Sequence, residues 1–150
     1  MPVKILVTGF EPFGPDAVNA AWEAVSRLPE AIGGAEIVKR RLPVEYEAGP
    51  ARLEALVEEL APDAVLSVGQ AAGRAALTPE LVGINWKDAS LPDNAGVLCQ
   101  GEPIDPAGAD AHFSSLPVKE MVSAIRGAGV PAQLSLSAGA YLCNCLLYPL

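Results

Sequence analysis

The run Val3-Lys4-Ile5-Leu6-Val7-Thr8 is apolar except for Lys4. Continuous apolarity marks a strand buried on both faces, unlike the alternation of a half-solvated sheet. Such a strand needs helices above and below it, so the chain is expected to be α/β. The run ends in a Gly/Pro loop, Gly9-Phe10-Glu11-Pro12-Phe13-Gly14-Pro15.

The following pattern alternates helix and strand. Asn19 is placed to cap a helix carrying Trp22, Val25 and Leu28, closed by Pro29. Glu36 to Leu42 reads as a second strand, ended by Pro43 or set at an edge by it. Leu53, Leu56, Val57 and Leu60 recur at helical spacing until Pro62. Ala64 to Val68 is a third strand, followed by the loop Gly69-Gln70-Ala71-Ala72-Gly73-Arg74. Leu81 to Trp86 and Val130 to Leu136 predict two more strands, and Pro117 starts a helix with Val118, Met121, Val122 and Ile125 on one face. From Lys87 to Ser115 the pattern dissolves into a long Asp/Pro/Gly/Asn segment of the kind that is functional or partner-facing. The expected fold is a mainly parallel twisted sheet with loops 9–15, 69–76 and 137–143 at the carboxyl ends of its strands, where ligands bind in such sheets.

Charge and cysteine content narrow the function. At 150 residues the chain reads as one domain, 1–150, and its net charge of −8 argues against nucleic acid. No apolar run approaches a membrane span and the amino terminus lacks a secretory layout, so a cytoplasmic location and no membrane contact are expected. Three cysteines and one histidine do not make a disulfide framework or a zinc site. Neither glycine loop matches a phosphate-binding fingerprint, so neither metal nor nucleotide cofactor is expected.

The chemistry concentrates near the end of the chain. In Ser137-Ala138-Gly139-Ala140-Tyr141-Leu142-Cys143-Asn144-Cys145 an apolar run meets a small-residue turn and then a helical pattern. A thiol in a first helical turn is a candidate nucleophile with a depressed pKa, although most free cysteines are simply small core residues. Cys99 and Cys145 lack that placement. Glu80, at the start of an apolar strand, could orient an imidazole or could be a solvated strand end. Phe10 and Phe13 could grip a flat uncharged ligand or plug the core. Gln70 could offer an amide to a lactam or peptide group, or equally serve a turn. His112, the sole imidazole, is a partner for Cys143 by elimination only.

Five segments, 3–14 (VKILVTGFEPFG), 62–74 (PDAVLSVGQAAGR), 78–85 (TPELVGIN), 92–94 (PDN) and 137–144 (SAGAYLCN), together resemble the pyroglutamyl peptidase I family, the pyrrolidone-carboxylate peptidases. The resemblance implies a three-layer α/β/α sandwich. It also implies an intracellular, cofactor-free cysteine exopeptidase that removes N-terminal pyroglutamate from peptides through a thioester, commonly as a homotetramer. On motif position, Cys143 corresponds to the nucleophile and Glu80 to the catalytic acid. Phe10 and Phe13 correspond to the aromatic clamp on the lactam ring, with Gln70 nearby. Two departures stand out. The family's histidine lies downstream of the cysteine helix, beyond Leu150, and His112 does not occupy its position. An arginine common in the family is replaced by Ser90. With the apolar ending Leu146-Leu147-Tyr148-Pro149-Leu150, these departures lead us to expect a domain lacking its C-terminal elements. The alternative function is a catalytically incomplete pyroglutamyl-binding or interaction protein on the same scaffold.

Overall fold

The structure is a computed structural model that describes residues Met1–Leu150. It divides into two compact units, Met1–Gln70 with Leu91–Leu98, and Ala71–Ser90 with Cys99–Leu150.

The first unit is built on β1 (Lys4–Phe10), which lies between β3 (Ala35–Leu42) and β4 (Ala64–Ser67) and pairs parallel with both. The two-residue β2 (Ala31–Ile32) adds an antiparallel edge to β3. The connection from β1 to β3 runs through α1 (Ala20–Ser26), and that from β3 to β4 through α2 (Ala48–Leu60). These crossovers travel in opposite directions across the sheet. Right-handedness therefore puts the two helices on opposite faces, giving the unit three layers. Val7, Val25 and Ile37 form the core on the α1 face, with Ile5, Trp22, Leu28, Leu66 and Val68 packed against them. Leu6, Thr8 and Phe10, of opposite parity, are buried too, which is why the run shows no alternation. Each fully buried Leu or Val contributes about 1.5–3 kcal/mol.

Two local devices set the entry to α1. Asn19 Oδ1 accepts a hydrogen bond from the Ala21 N–H at 2.9 Å, capping the helix as its sequence position suggested. Gly9 sits so close to α1 that a Cβ there would lie 2.9 Å from the Trp22 Cα. The helix can lie this close to β1 only where the strand lacks a side chain.

The second unit departs from the sequence expectation. Residues 81–86 do not supply a parallel strand. Their core, β5 (Val82–Ile84), pairs antiparallel with a strand inside the long irregular segment, Ala111–Phe113. We number that strand β8, because β6 (Lys87–Asp88) and β7 (Gln100–Glu102) form a second short antiparallel pair before it. Residues 130–136 do not form a regular strand either. They make only isolated parallel bridges, Leu77 with Ala132 and Glu80 with Ser135. The physical reason is the pair Pro79 and Pro131, which have no N–H to donate to the ladder. The remaining bonds still align the segments, with Leu81 N–H donating to Ser135 O and Ser135 N–H to Pro79 O, both at 2.9 Å. Helix α3 (Val118–Gly127) buries Val118 and Val122, and α4 (Leu142–Leu147) follows the glycine turn. No helix is long and apolar enough to cross a membrane.

Candidate active site

Cys143 occupies the second position of α4, after Tyr141 at the N-cap. The turn before it is made by small residues held locally. Ser135 Oγ donates to Ser137 O at 3.0 Å, Ser137 Oγ accepts from Gly139 N–H at 3.0 Å, and Gly139 takes a φ of +75°. Only glycine adopts that conformation without strain. Asp88 N–H donates to Ala140 O at 2.9 Å, fixing the far side of the turn.

The helix is anchored by the residue after the thiol. Asn144 is fully buried. Its Oδ1 accepts from Ile84 N–H at 2.9 Å, and its Nδ2 donates to Ile84 O at 2.8 Å and Trp86 O at 3.1 Å. The side chain thus continues the β5 backbone pairing and ties α4 to it. Gly83 makes this approach possible, since a Cβ there would meet the Tyr148 backbone N at 2.9 Å.

Glu80 lies in the same unit, bonded through the backbone bridge to Ser135, two residues ahead of the turn. Its Oε1 is held by Arg74 Nη1 at 2.7 Å; the same nitrogen donates to Thr78 Oγ1 at 2.6 Å, and Nη2 donates to Ser137 O at 3.1 Å. Arg74 therefore joins the Glu80 carboxylate to the turn that precedes Cys143. Glu80 Oε2 is buried with no hydrogen-bond partner. A buried carboxylate oxygen without a donor is costly, and a site built this way is suited to receive one.

The electrostatics correct one sequence expectation. The Cys143 thiol is raised above the ordinary cysteine value, first by burial and then by the Glu80 charge, against the opposing Arg74 charge and a backbone hydrogen bond. A six-residue helix concentrates little dipole, and removal of solvent from the sulfur outweighs it. Burial thus favours the neutral Cys143 thiol over the thiolate. Cys145, deeper in the helix, is pushed up to about 12, chiefly by burial.

His112 is engaged elsewhere. Its ring stacks on Tyr148 with centroids 4.4 Å apart, and Nδ1 lies 2.8 Å from the Tyr148 carbonyl oxygen. The sequence assigned no partners to Arg74 or Asn144; both stand inside the quoted motifs, but their contacts are made across the fold.

Phe10, Phe13 and Gln70 belong to the first unit. Phe10 ends β1 and is buried, while Phe13 is half-buried on the loop after it. Gln70 is exposed after β4, and its Oε1 accepts the Ala20 N–H at the start of α1 at 2.9 Å. The order β3-β1-β4 makes the carboxyl ends of β1 and β4 the point where strand order reverses, the usual ligand position in such sheets. Ser90 is exposed.

A mainly parallel α/β fold that presents a cysteine on a helix behind a glycine turn, with an ion-paired carboxylate in the same unit, defines a narrow class. The sequence model for pyroglutamyl peptidases matches residues 3–150, and the chain belongs to that family. It is similar to the pyrrolidone-carboxylate peptidase of Thermococcus onnurineus, 47% identical over 146 residues, which are 97% of this chain and 73% of the relative. The enzyme of the same description from Lactobacillus johnsonii is 50% identical, covering 97% of this chain and 68% of the relative. Among solved structures, pyroglutamyl peptidase I from Bacillus amyloliquefaciens superposes with a TM-score of 0.95 at 43% identity, covering 99% of this chain and 71% of that one. The pyrrolidone carboxyl peptidase of Pyrococcus furiosus gives 0.93 at 41% identity, covering 97% and 71%.

Proposed function

We propose that the protein is a cysteine exopeptidase that hydrolyses N-terminal pyroglutamate from peptides through a thioester acyl-enzyme. The observation that carries this reading is the Glu80 carboxylate. Arg74 takes one oxygen, the other is buried and open to a donor, and its charge is felt at the Cys143 sulfur. An imidazole N–H is the donor that a thiol, imidazole and acid arrangement requires. The family carries that imidazole downstream of the cysteine helix, and His112 is not assigned to the role.

The chemistry follows from the raised thiol. Because burial favours the neutral Cys143 thiol, an imidazole seated against Glu80 would first take the Sγ proton, and Sγ would attack the pyroglutamyl carbonyl carbon. The carbonyl π pair moves to oxygen, then returns as the C–N bond breaks, and the imidazolium protonates the departing amine. Water then adds to the thioester, the C–S bond breaks, and pyroglutamate leaves while the thiol regains its proton. N–H groups at the turn stabilise the oxyanion. A lactam ring has no free α-amine for a carboxylate to recognise, so stacking on Phe10 and Phe13 and an amide contact from Gln70 supply selectivity. In this proposal the protein acts without a cofactor, in the cytoplasm, as a homotetramer.

Release of a fluorogenic amine from a pyroglutamyl conjugate tests the assignment. Cys143→Ala is expected to abolish turnover and Glu80→Gln to reduce it by about 10²-fold or more, as loss of acid–base support does. Turnover retained by Cys143→Ala rejects the nucleophile. A second reading, a lactam-binding protein without turnover, draws support from the raised thiol and from the engagement of His112 with Tyr148. Saturable lactam binding by the wild-type protein with no amine release would select it.

A further inference from the structure

The segment Leu91–Leu98 belongs to the first unit although it lies between stretches of the second. Its buried Asp93 organises it: Oδ1 accepts from Ala95 N–H at 2.9 Å and Val97 N–H at 2.8 Å, and Oδ2 accepts from Tyr46 N–H at 2.8 Å. This hairpin-like turn presents Asn94 to the loop after β1. Asn94 N–H donates to Val44 O at 2.9 Å, so its backbone is fixed before its side chain acts.

The side chain spans Phe13. Asn94 Nδ2 donates to Pro12 O at 2.9 Å, on one side of Phe13, and Asn94 Oδ1 accepts from Gly14 N–H at 3.2 Å on the other. Nδ2 also lies 3.2 Å from Glu11 Oε1, which itself accepts Val44 N–H at 3.1 Å. The peptide groups flanking Phe13 are thus both held by one amide, from a residue about 80 positions away. A loop of Gly, Pro and Phe has no periodic ladder of its own, so these contacts, with the Asp16 N–H donated to Phe13 O at 3.2 Å, help set where the ring stands.

We propose that Asn94 is a positioning residue that fixes Phe13 and thereby the ring-size selectivity of the lactam pocket. This inference rests on the proposed role of Phe13 in binding the lactam. Asn94 touches no reacting atom; it acts through the loop. Losing it removes the hold on Pro12 O and Gly14 N–H and leaves Phe13 O bonded only to Asp16 N–H among the backbone contacts of this loop, so binding of the five-membered lactam weakens and discrimination against larger rings declines.

The test compares wild type, Asn94→Ala, Phe13→Ala and the double variant. Binding of 2-pyrrolidone and of its six-membered homologue, 2-piperidone, is read by calorimetry, and KM and kcat on the pyroglutamyl conjugate by fluorescence. Asn94→Ala is expected to weaken 2-pyrrolidone about tenfold, the scale of one lost positioning hydrogen bond. It should also narrow the preference over 2-piperidone and raise KM more than it lowers kcat. The double variant should bind no more weakly than Phe13→Ala alone, because both changes act on one ring. Incorporation of 4-fluorophenylalanine at the three phenylalanines gives a readout independent of activity. The Phe13 resonance should shift in Asn94→Ala while that of Phe113, exposed in β8, stays in place. Asn94→Ser provides the same comparison if the alanine chain does not fold. Unchanged lactam affinity and ring preference in Asn94→Ala, with Phe13→Ala impaired, overturn the inference alone. If Phe13→Ala also binds like wild type, the proposed pocket itself is wrong.

Discussion

Replacement of Asn144 by alanine is the most informative single perturbation of the support for Cys143. The side chain satisfies Ile84 N–H, Ile84 O and Trp86 O from a fully buried position. Ile84 O keeps a second donor, the Trp86 N–H at 2.9 Å. Truncation therefore strands one partly buried N–H and one partly buried carbonyl, each at up to about 1–3 kcal/mol, for a loss of up to about 4 kcal/mol. With a urea slope of about 2 kcal/mol per M, the unfolding midpoint should fall by up to about 2 M. Asn144→Asp sharpens the test. The introduced carboxylate keeps the acceptor for Ile84 N–H but, when charged, opposes two carbonyl oxygens in a site without solvent. Its folded pKa must then exceed the unfolded value of about 3.9, so its penalty is absent below that pH and grows as pH rises. Equilibrium urea unfolding from pH 4 to 8 measures both effects. A loss under about 1 kcal/mol for Asn144→Ala, against about 1–3 kcal/mol for each stranded group, or stability of Asn144→Asp that improves relative to wild type with rising pH, refutes the reasoning.

Alkylation of Cys143, followed by mass spectrometry against pH, should show its midpoint moving down in Glu80→Gln and up in Arg74→Ala, since those charges raise and lower the thiol pKa respectively; shifts of opposite sign would contradict the electrostatic account. Cys145, buried and pushed up to about 12, should resist alkylation in the folded protein. Its stabilising preference for the neutral form is complete below the unfolded cysteine value of about 8.5 and is lost as pH climbs toward the folded value. Chemical unfolding between pH 8 and 10 should therefore show a steeper alkaline decline in wild type than in Cys145→Ala. Gly9→Ala forces a Cβ to 2.9 Å from the Trp22 backbone and should cost about 1–3 kcal/mol by overpacking, read by thermal melting. A neutral result there would show that α1 can move away from β1.

Much of the first unit could be read locally. The apolar run at β1, the Asn19 cap, the helical spacing of Leu53 and Leu56 and the stop at Pro62 are short-range signals that each placed an element, although α1 ends at Ser26, short of the expected Leu28. The second unit was less legible because its strands pair through segments with no period of their own. Residues 111–113 looked like irregular loop, yet they partner β5, while Pro79 and Pro131 break the ladder that an apolar 130–136 segment suggested.

By itself, the amino-acid order determined the α/β alternation, the placement of a thiol behind Gly139 and the positions whose motifs resemble the family. The tertiary structure alone decided which oxygen of Glu80 Arg74 holds, why the Cys143 thiol is raised rather than lowered, and which residue steadies Phe13 from about 80 positions away. Periodicity and capping depend on neighbours a few residues apart, so they are written along the chain. Desolvation and charge pairing depend on what surrounds an atom in space, and that exists only once the chain has folded.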